Sequence, residues 1–216
     1  AEANELFDAI TYEKGASVLR MVETYLGEEP FKRGMQAYIQ AYKNKNAAGA
    51  DLWHHLQVAS GQPVDSFMQD WVHQEGFPLV GVKSVEENGR TYLNLSQKRC
   101  FSNAEKMADL GGGEKWQIPM QIRYGTKNGV KTHSFLMTDK TQRVELPEKA
   151  LWVFPNADSA GFYRLKFEDD ALEALLSGGL KDLSPVERAC LVQDQWALVE
   201  NGSLPIDSFM HVLASF

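Results

Sequence analysis

Near Leu79 the apolar residues stop recurring at intervals of three and four and begin to alternate, and near Glu168 the interval lengthens again. No single repeating architecture accommodates two such changes. Threes and fours suit a helix with one buried stripe, whereas alternation suits a strand with one buried face. The 216 residues therefore divide into three blocks, 1–78, 79–167 and 168–216, built as helices, strands and helices. This is an α+β chain of more than one domain. Its middle block, about 85–90 residues with some seven short strands, has the size and turn spacing of a β-sandwich.

In the first block, Ala16, Val18, Leu19, Met21, Val22, Tyr25 and Leu26 form a core-facing helical stripe that starts at Gly15 and stops at Gly27. Pro30 stands where a first helical turn tolerates proline, because its missing N–H would lack a partner there anyway. Phe31, Met35, Tyr38, Ile39 and Tyr42 carry the second stripe. DLWHHLQVAS predicts a third helix closed by Gly61. DSFMQDWVHQ predicts a fourth, with Asp65 as its N-cap and Gly76 past its end.

In the middle block, LVGVKSVEENGRTYLNLSQ reads as two strands around Asn88-Gly89, and WQIPMQIRYGTKNGVKTHSFLM repeats the arrangement around Asn128-Gly129. RVELP, LWVFPN and GFYRLKF add further strands. SNAEKMADLGGGEK (102–115), polar and rich in glycine, is expected to be an exposed, mobile insertion. In the third block the acids leading EDDALEALLSGG suit the positive end of a helix dipole. Ser184 and Glu187 have capping-box spacing ahead of ERACLVQDQWALVE, Asn201-Gly202 stop that helix, and PIDSFMHVLASF opens another.

A net charge of −7 disfavours nucleic acid or an anionic membrane as partner, since either needs a basic surface, and weakly suits cationic substrates such as peptides with a free amino terminus. No apolar run approaches the ~18 residues of a membrane span. Cys100 and Cys190 are too few for a disulfide framework and form no CxxC. The chain opens on AEANELF, without a methionine or a signal peptide, and closes on HVLASF inside a helical pattern. It is expected to be a piece of a longer polypeptide, with the cytoplasm weakly favoured. Asn94 and Asn201 match the glycosylation sequon and are read as chance matches.

The five histidines, His54, His55, His73, His133 and His211, contain no HExxH pair. His54 and His55 are neighbours, about 100° apart on a helix, and cannot readily share one metal. GxSxG, Walker and Rossmann motifs do not occur, so no complete catalytic constellation stands in these residues. One stretch keeps a chemical reading open. In FDAITYEKGASVLRM, Tyr12 precedes a helix. There a phenol either packs against a core or donates a hydrogen bond to a developing oxyanion.

The succession FDAITYEKGASVLRMVETYLGEEPFKRGMQAYIQAY, DLWHHLQVASGQPVDSFMQDWVHQEGFPLVGV, SQKRCF, WQIPM, FPNADSAGFYRLKF and LSPVERACLVQDQWALVENG resembles the aminopeptidase N family of zinc aminopeptidases. Within it, the puromycin-sensitive, endoplasmic-reticulum and tricorn-interacting types look nearest. The resemblance runs through essentially the whole chain. It implies the last helices of a thermolysin-like catalytic domain (1–78), a β-sandwich domain (79–167) and the start of an α-helical C-terminal domain (168–216). It also implies a peptide substrate with a free amino terminus, the remainder of the same polypeptide as partner, and zinc in the intact enzyme, held by upstream motifs. This chain alone is expected to bind no zinc and to be inactive.

By that resemblance Tyr12, the tyrosine of the YxKG motif, hydrogen-bonds the oxyanion of the tetrahedral intermediate, and Phe7 lines the pocket for the first substrate side chain. Lys14 is expected to make a local salt bridge or hydrogen bond, and Gly15 to allow a close approach at the helix start. Arg99 and Arg164 are expected to fix the sandwich and its junctions through bidentate contacts. Cys100 stands where the family usually has phenylalanine, and a bulge would account for it. A second reading of the same blocks is a non-catalytic helix–sandwich–helix module for binding or scaffolding.

Overall fold

The structure, a computed structural model, describes residues 10–101, 114–168 and 170–216. A π-helical turn, Ile10–Lys14, runs directly into α1 (Gly15–Leu26), followed by α2 (Glu28–Tyr42), α3 (Gly49–Ser60) and α4 (Val64–His73). The stripe of α1 buries Val18, Met21, Val22 and Leu26 as its spacing requires. Helices α2 and α3 approach closely at Gly34, where an added Cβ would lie 2.9 Å from the Leu56 Cα. Asp65 does not cap α4. That helix begins one residue earlier, at Val64, and the Asp65 N–H is taken by Gln57 Oε1 from α3 at 3.1 Å, so a neighbouring helix does the cap's work.

Seven strands follow: β1 (Pro78–Glu87), β2 (Arg90–Arg99), β3 (Ile118–Thr126), β4 (Gly129–Met137), β5 (Thr141–Glu145), β6 (Trp152–Phe154) and β7 (Arg164–Phe167). They form two sheets, β5-β2-β1-β7 and β4-β3-β6. Pairing of β1 with β2 is unbroken from Pro78↔Arg99 to Glu87↔Arg90, so Cys100 follows the ladder without a bulge. Only Leu79–Val82 of β1 also face β7, which is why the first half of β1 is buried throughout and the hairpin tip is not.

Asn88 (φ 52°) and Gly89 (φ 77°) turn the first hairpin as expected. The second hairpin turns one residue earlier than its Asn-Gly pair indicates. Thr126 faces Gly129, the turn residues are Lys127 and Asn128, and the positive φ (109°) falls on Gly129 alone.

Val80, Val82, Leu93 and Leu95 of one sheet and Ile118, Met120, Ile122 and Tyr124 of the other belong to one apolar core, which also takes Val22 of α1 and Trp71 of α4. Gln97 of β2 ties the segments leading into β3 and out of β4 to the first sheet. Its Nε2 donates to the Trp116 and Asp139 carbonyls at 2.9 Å each, and its Oε1 accepts from the Trp116 N–H at 2.8 Å. A buried amide with three partners is satisfied, where an unpaired one would cost about 1–3 kcal/mol.

The chain ends in α5 (Ala171–Gly178), α6 (Pro185–Glu200) and α7 (Ile206–Ala214). The capping box at α6 is present: Ser184 Oγ accepts from the Glu187 N–H at 3.2 Å, and Glu187 Oε2 from the Ser184 N–H at 2.7 Å. Asn201 is buried and donates to the Phe101 carbonyl at 3.3 Å, which leaves its sequon inside the fold. No helix among the described residues is long and apolar enough to cross a membrane. Most of the 102–115 segment, and with it the expectation of a mobile insertion, lies outside the described residues.

Candidate functional site

Tyr12 sits at the centre of the five-residue π-helical turn, and its side chain is 58% exposed. A π turn carries one more residue than an α turn and is common at functional sites. That exposure leaves the ring outside the core formed by the described residues. Phe7 lies outside the described residues.

The helix that continues from this turn is fastened to three other parts of the fold. Lys14 Nζ donates to the Gln74 carbonyl at 3.0 Å, at the C-terminal end of α4. Arg20 donates to the Asp158 carbonyl at 3.2 Å, and Gln121 of β3 donates to the Thr24 carbonyl at 2.5 Å. Burial, and then the nearby Arg99 guanidinium, push the Lys14 ammonium below the usual lysine range, with Glu75 acting the other way. Lys14 thus makes the hydrogen bond expected of it. Gly15 serves no close approach among the described residues: an added Cβ there would meet nothing within 4 Å.

Beside the turn is an open cleft of about 780 Å³, walled by Lys14 and Ser17 on one side and by His73, Gln74 and Phe77 on the other, with Arg99 among its lining residues. Tyr12 is not part of that lining. Arg99 pairs with Glu114 at 3.1 Å and Glu75 at 3.3 Å and lies over the Phe101 ring. It is therefore a junction residue, as expected, but its two terminal nitrogens serve two carboxylates instead of gripping one. Its guanidinium also packs on Gly76, where a Cβ would come within 2.8 Å of Nε. The loop that offers its carbonyl to Lys14 is held in this way from the sheet side.

A second polar cluster joins sheet to C-terminal helices. Arg123 of β3 donates to Glu187 at 2.6 Å and to Asp158 at 2.7 Å, and Glu187 also accepts from the Asp158 N–H at 2.9 Å. Burial opposes the charge on Glu187. The Ser184 and Asp158 N–H groups and Arg123 outweigh it, and the carboxyl lies below its usual range. Arg164 reaches a single oxygen of the buried Asp194 at 3.0 Å while the other oxygen takes the Leu165 N–H at 3.1 Å, so this contact is not bidentate either. Burial pushes the Asp194 carboxyl up to about 6 against the pull of Arg164. Cys190, 3.9 Å from Asp194, is a free thiol pushed by burial up to about 12, which makes it a poor nucleophile.

His54 and His55 stack edge to face and have different partners. His54 lies 3.8 Å from Asp65, and His55 Nδ1–H donates to the Asp51 carbonyl at 2.7 Å. Among the described residues no group of three or more His, Cys, Asp or Glu side chains converges. The described residues therefore offer no set of zinc ligands.

Residues 1–71 match the Peptidase family M1 domain, and residues 152–216 match the ERAP1-like C-terminal domain. The chain is 34% identical to the puromycin-sensitive aminopeptidase of Caenorhabditis elegans over 99% of its own length and 23% of that protein. It is 35% identical to aminopeptidase M1 of Arabidopsis thaliana over 92% of its length and 23% of that protein. It is 32% identical to tricorn protease-interacting factor F2 of Thermoplasma acidophilum over 100% of its length and 25% of that protein. The chain spans about a quarter of the length of these relatives, at 23–25%.

Proposed function

Because the chain belongs to the aminopeptidase N family of M1 peptidases, we propose that it is the part of a zinc aminopeptidase that supplies the oxyanion donor, Tyr12. In this reading the intact protein removes residues from the free amino terminus of peptides. Phe7 forms a wall of the pocket for the first substrate side chain. Residues 1–78 close a catalytic domain, 79–167 are a β-sandwich domain and 168–216 begin a helical domain. The zinc that the family uses would be held by residues other than these.

The single observation that carries the reading is the placement of Tyr12. It projects from a solvent-facing π-helical turn inside the segment that matches the peptidase model, on a helix fastened at three points to the rest of the fold. A phenol so placed donates its O–H to the oxygen that gains charge as water adds to the scissile carbonyl. Such a donor stabilises the transition state more than the ground state, so it acts on kcat. The relatives named above are called aminopeptidases or a tricorn-interacting factor, and none of them favours the non-catalytic module.

The test is Tyr12→Phe in the intact enzyme. It is expected to lower kcat by about 10²–10³ with little change in KM, as removal of other oxyanion donors does. A kcat equal to the wild type would return Tyr12 to the packing residues.

A further inference from the structure

Resting on that reading, we propose that Lys14 is a positioning residue for Tyr12: by tying the end of the π-helical turn to the Gln74 carbonyl just past α4, it fixes the direction in which the phenol points.

Ile10–Lys14 is π-helical and Gly15–Leu26 is α-helical, with no break between them. The extra residue of the π turn has to sit somewhere. If it slips, a residue ahead of the boundary rotates about the axis by one helical step, roughly 100°, and moves by about 1.5 Å. A slip of that kind would leave the fold intact and send the Tyr12 phenol elsewhere. Nothing in local propensity prevents it, because π turns are intrinsically rare and lose little by reverting to α.

Lys14 is the residue at the boundary, and it is anchored. Its Nζ lies 3.0 Å from the carbonyl of Gln74, which is 60 residues away in sequence and follows directly on α4. That carbonyl stands at the negative end of a helix dipole and suits an ammonium group. Its own position is fixed twice over. Gln74 N–H donates to the Asp70 carbonyl at 3.2 Å, and Gln74 Nε2 donates to the Lys115 carbonyl at 2.9 Å. Arg99 clamps the next two residues, by its bond to Glu75 at 3.3 Å and by its packing on Gly76. The anchor is therefore part of the sheet-side framework and does not move with α1. Arg20 and the Thr24 carbonyl fix α1 further along, past the boundary, and Lys14 adds an anchor at the boundary itself.

The role is specific to Lys14 among the neighbours of Tyr12. Glu13 is exposed, and Gly15 touches nothing through a Cβ. Lys14 reaches across the cleft to the Gln74 carbonyl on its opposite wall.

The experiment is a double-mutant cycle in the intact enzyme, read with an aminoacyl-arylamide substrate that has a free amino terminus. Lys14→Met is expected to lower kcat about tenfold with KM within about twofold. On a Tyr12→Phe background the same substitution is expected to lower kcat no further, because its whole effect passes through the phenol. Lys14→Arg, which can still donate to the Gln74 carbonyl, is expected to recover most of the loss. An unchanged kcat in Lys14→Met, or equal losses with and without the Tyr12 hydroxyl, would overturn the inference. If Lys14→Met does not fold, Lys14→Gln, whose amide is too short to reach the carbonyl, takes its place in the cycle. Failure of the oxyanion reading looks different: Tyr12→Phe alone would then be fully active, and both proposals would fall together.

Discussion

Glu187 has two structural tasks, and its removal measures them. It closes the capping box of α6, and it is the fully buried partner of Arg123. Glu187→Ala leaves the Ser184 and Asp158 N–H groups without their acceptor and leaves Arg123 with Asp158 alone. An orphaned donor costs about 1–3 kcal/mol where it is buried and less at these part-buried N–H groups, and breaking a buried ion pair at one end costs about 3–5 kcal/mol. These losses share one carboxylate and are not added. The expected destabilisation is about 3–5 kcal/mol, roughly 10²- to 10³·⁵-fold in the equilibrium between joined and parted α6. Asp158 (φ 57°), which is held in the left-handed region partly by Glu187, should relax at the same time.

The assay is urea unfolding followed by tryptophan emission, together with amide exchange at Asp158 and Ser184. Glu187→Gln keeps an acceptor oxygen and should lose less. The sign with pH is also fixed. The Glu187 carboxyl is held below its unfolded value, so its contribution is present above that unfolded value and is lost as pH falls through the folded one. A loss below about 1 kcal/mol in Glu187→Ala, with exchange at Asp158 unchanged, would refute the claim that this carboxylate joins sheet to helix.

Two further outcomes follow from the packing. In Gly125→Ala a Cβ would lie 2.1 Å from the Trp152 indole nitrogen, so the β3–β6 pair must shift. An overpacking loss of about 1–3 kcal/mol should appear in thermal unfolding, and a change within about 0.5 kcal/mol would contradict it. Asp194, with its carboxyl pushed up to about 6, is expected to stabilise the fold most below its unfolded value near 4. That stability is lost as pH rises through about 6. The stability difference between wild type and Asp194→Asn should therefore shrink between pH 4 and 7, and a difference independent of pH would count against a raised carboxyl.

What was legible in the sequence was what a few neighbouring residues decide. The Ser184–Glu187 box, the Asn88-Gly89 turn and the stripe of α1 are each fixed within one or two turns of chain, and each stands where its pattern placed it. Errors arose where a distant residue supplies what the local pattern leaves open. Asp65 has the chemistry of a cap, but Gln57 takes its N–H from another helix. Asn128-Gly129 has the composition of a two-residue turn, but the register of β3 against β4 leaves Gly129 in the strand. Gln97 gave no sign that it would tie the segments flanking β3 and β4 to the first sheet, because its three partners are backbone groups 19 and 42 residues away.

The candidate site follows the same division: its residues carry a resemblance visible in a few letters, whereas its geometry rests on distant contacts. YEKG identifies a tyrosine by resemblance, yet nothing in those four letters specifies a π turn. The turn has no stabilising pattern of its own. Its boundary residue is held by a carbonyl 60 positions away, on a loop that Arg99 in turn holds from β2. A phenol that acts on a transition state must keep its direction within a few tenths of an ångström, which a solvent-exposed side chain does not do unaided. On the proposed reading that constraint falls on the framework, on residues such as Lys14, Gln74 and Arg99. Lys14 is the one of them that also lies in the motif. Its substitution thus separates a tyrosine that is merely present from one that is aimed.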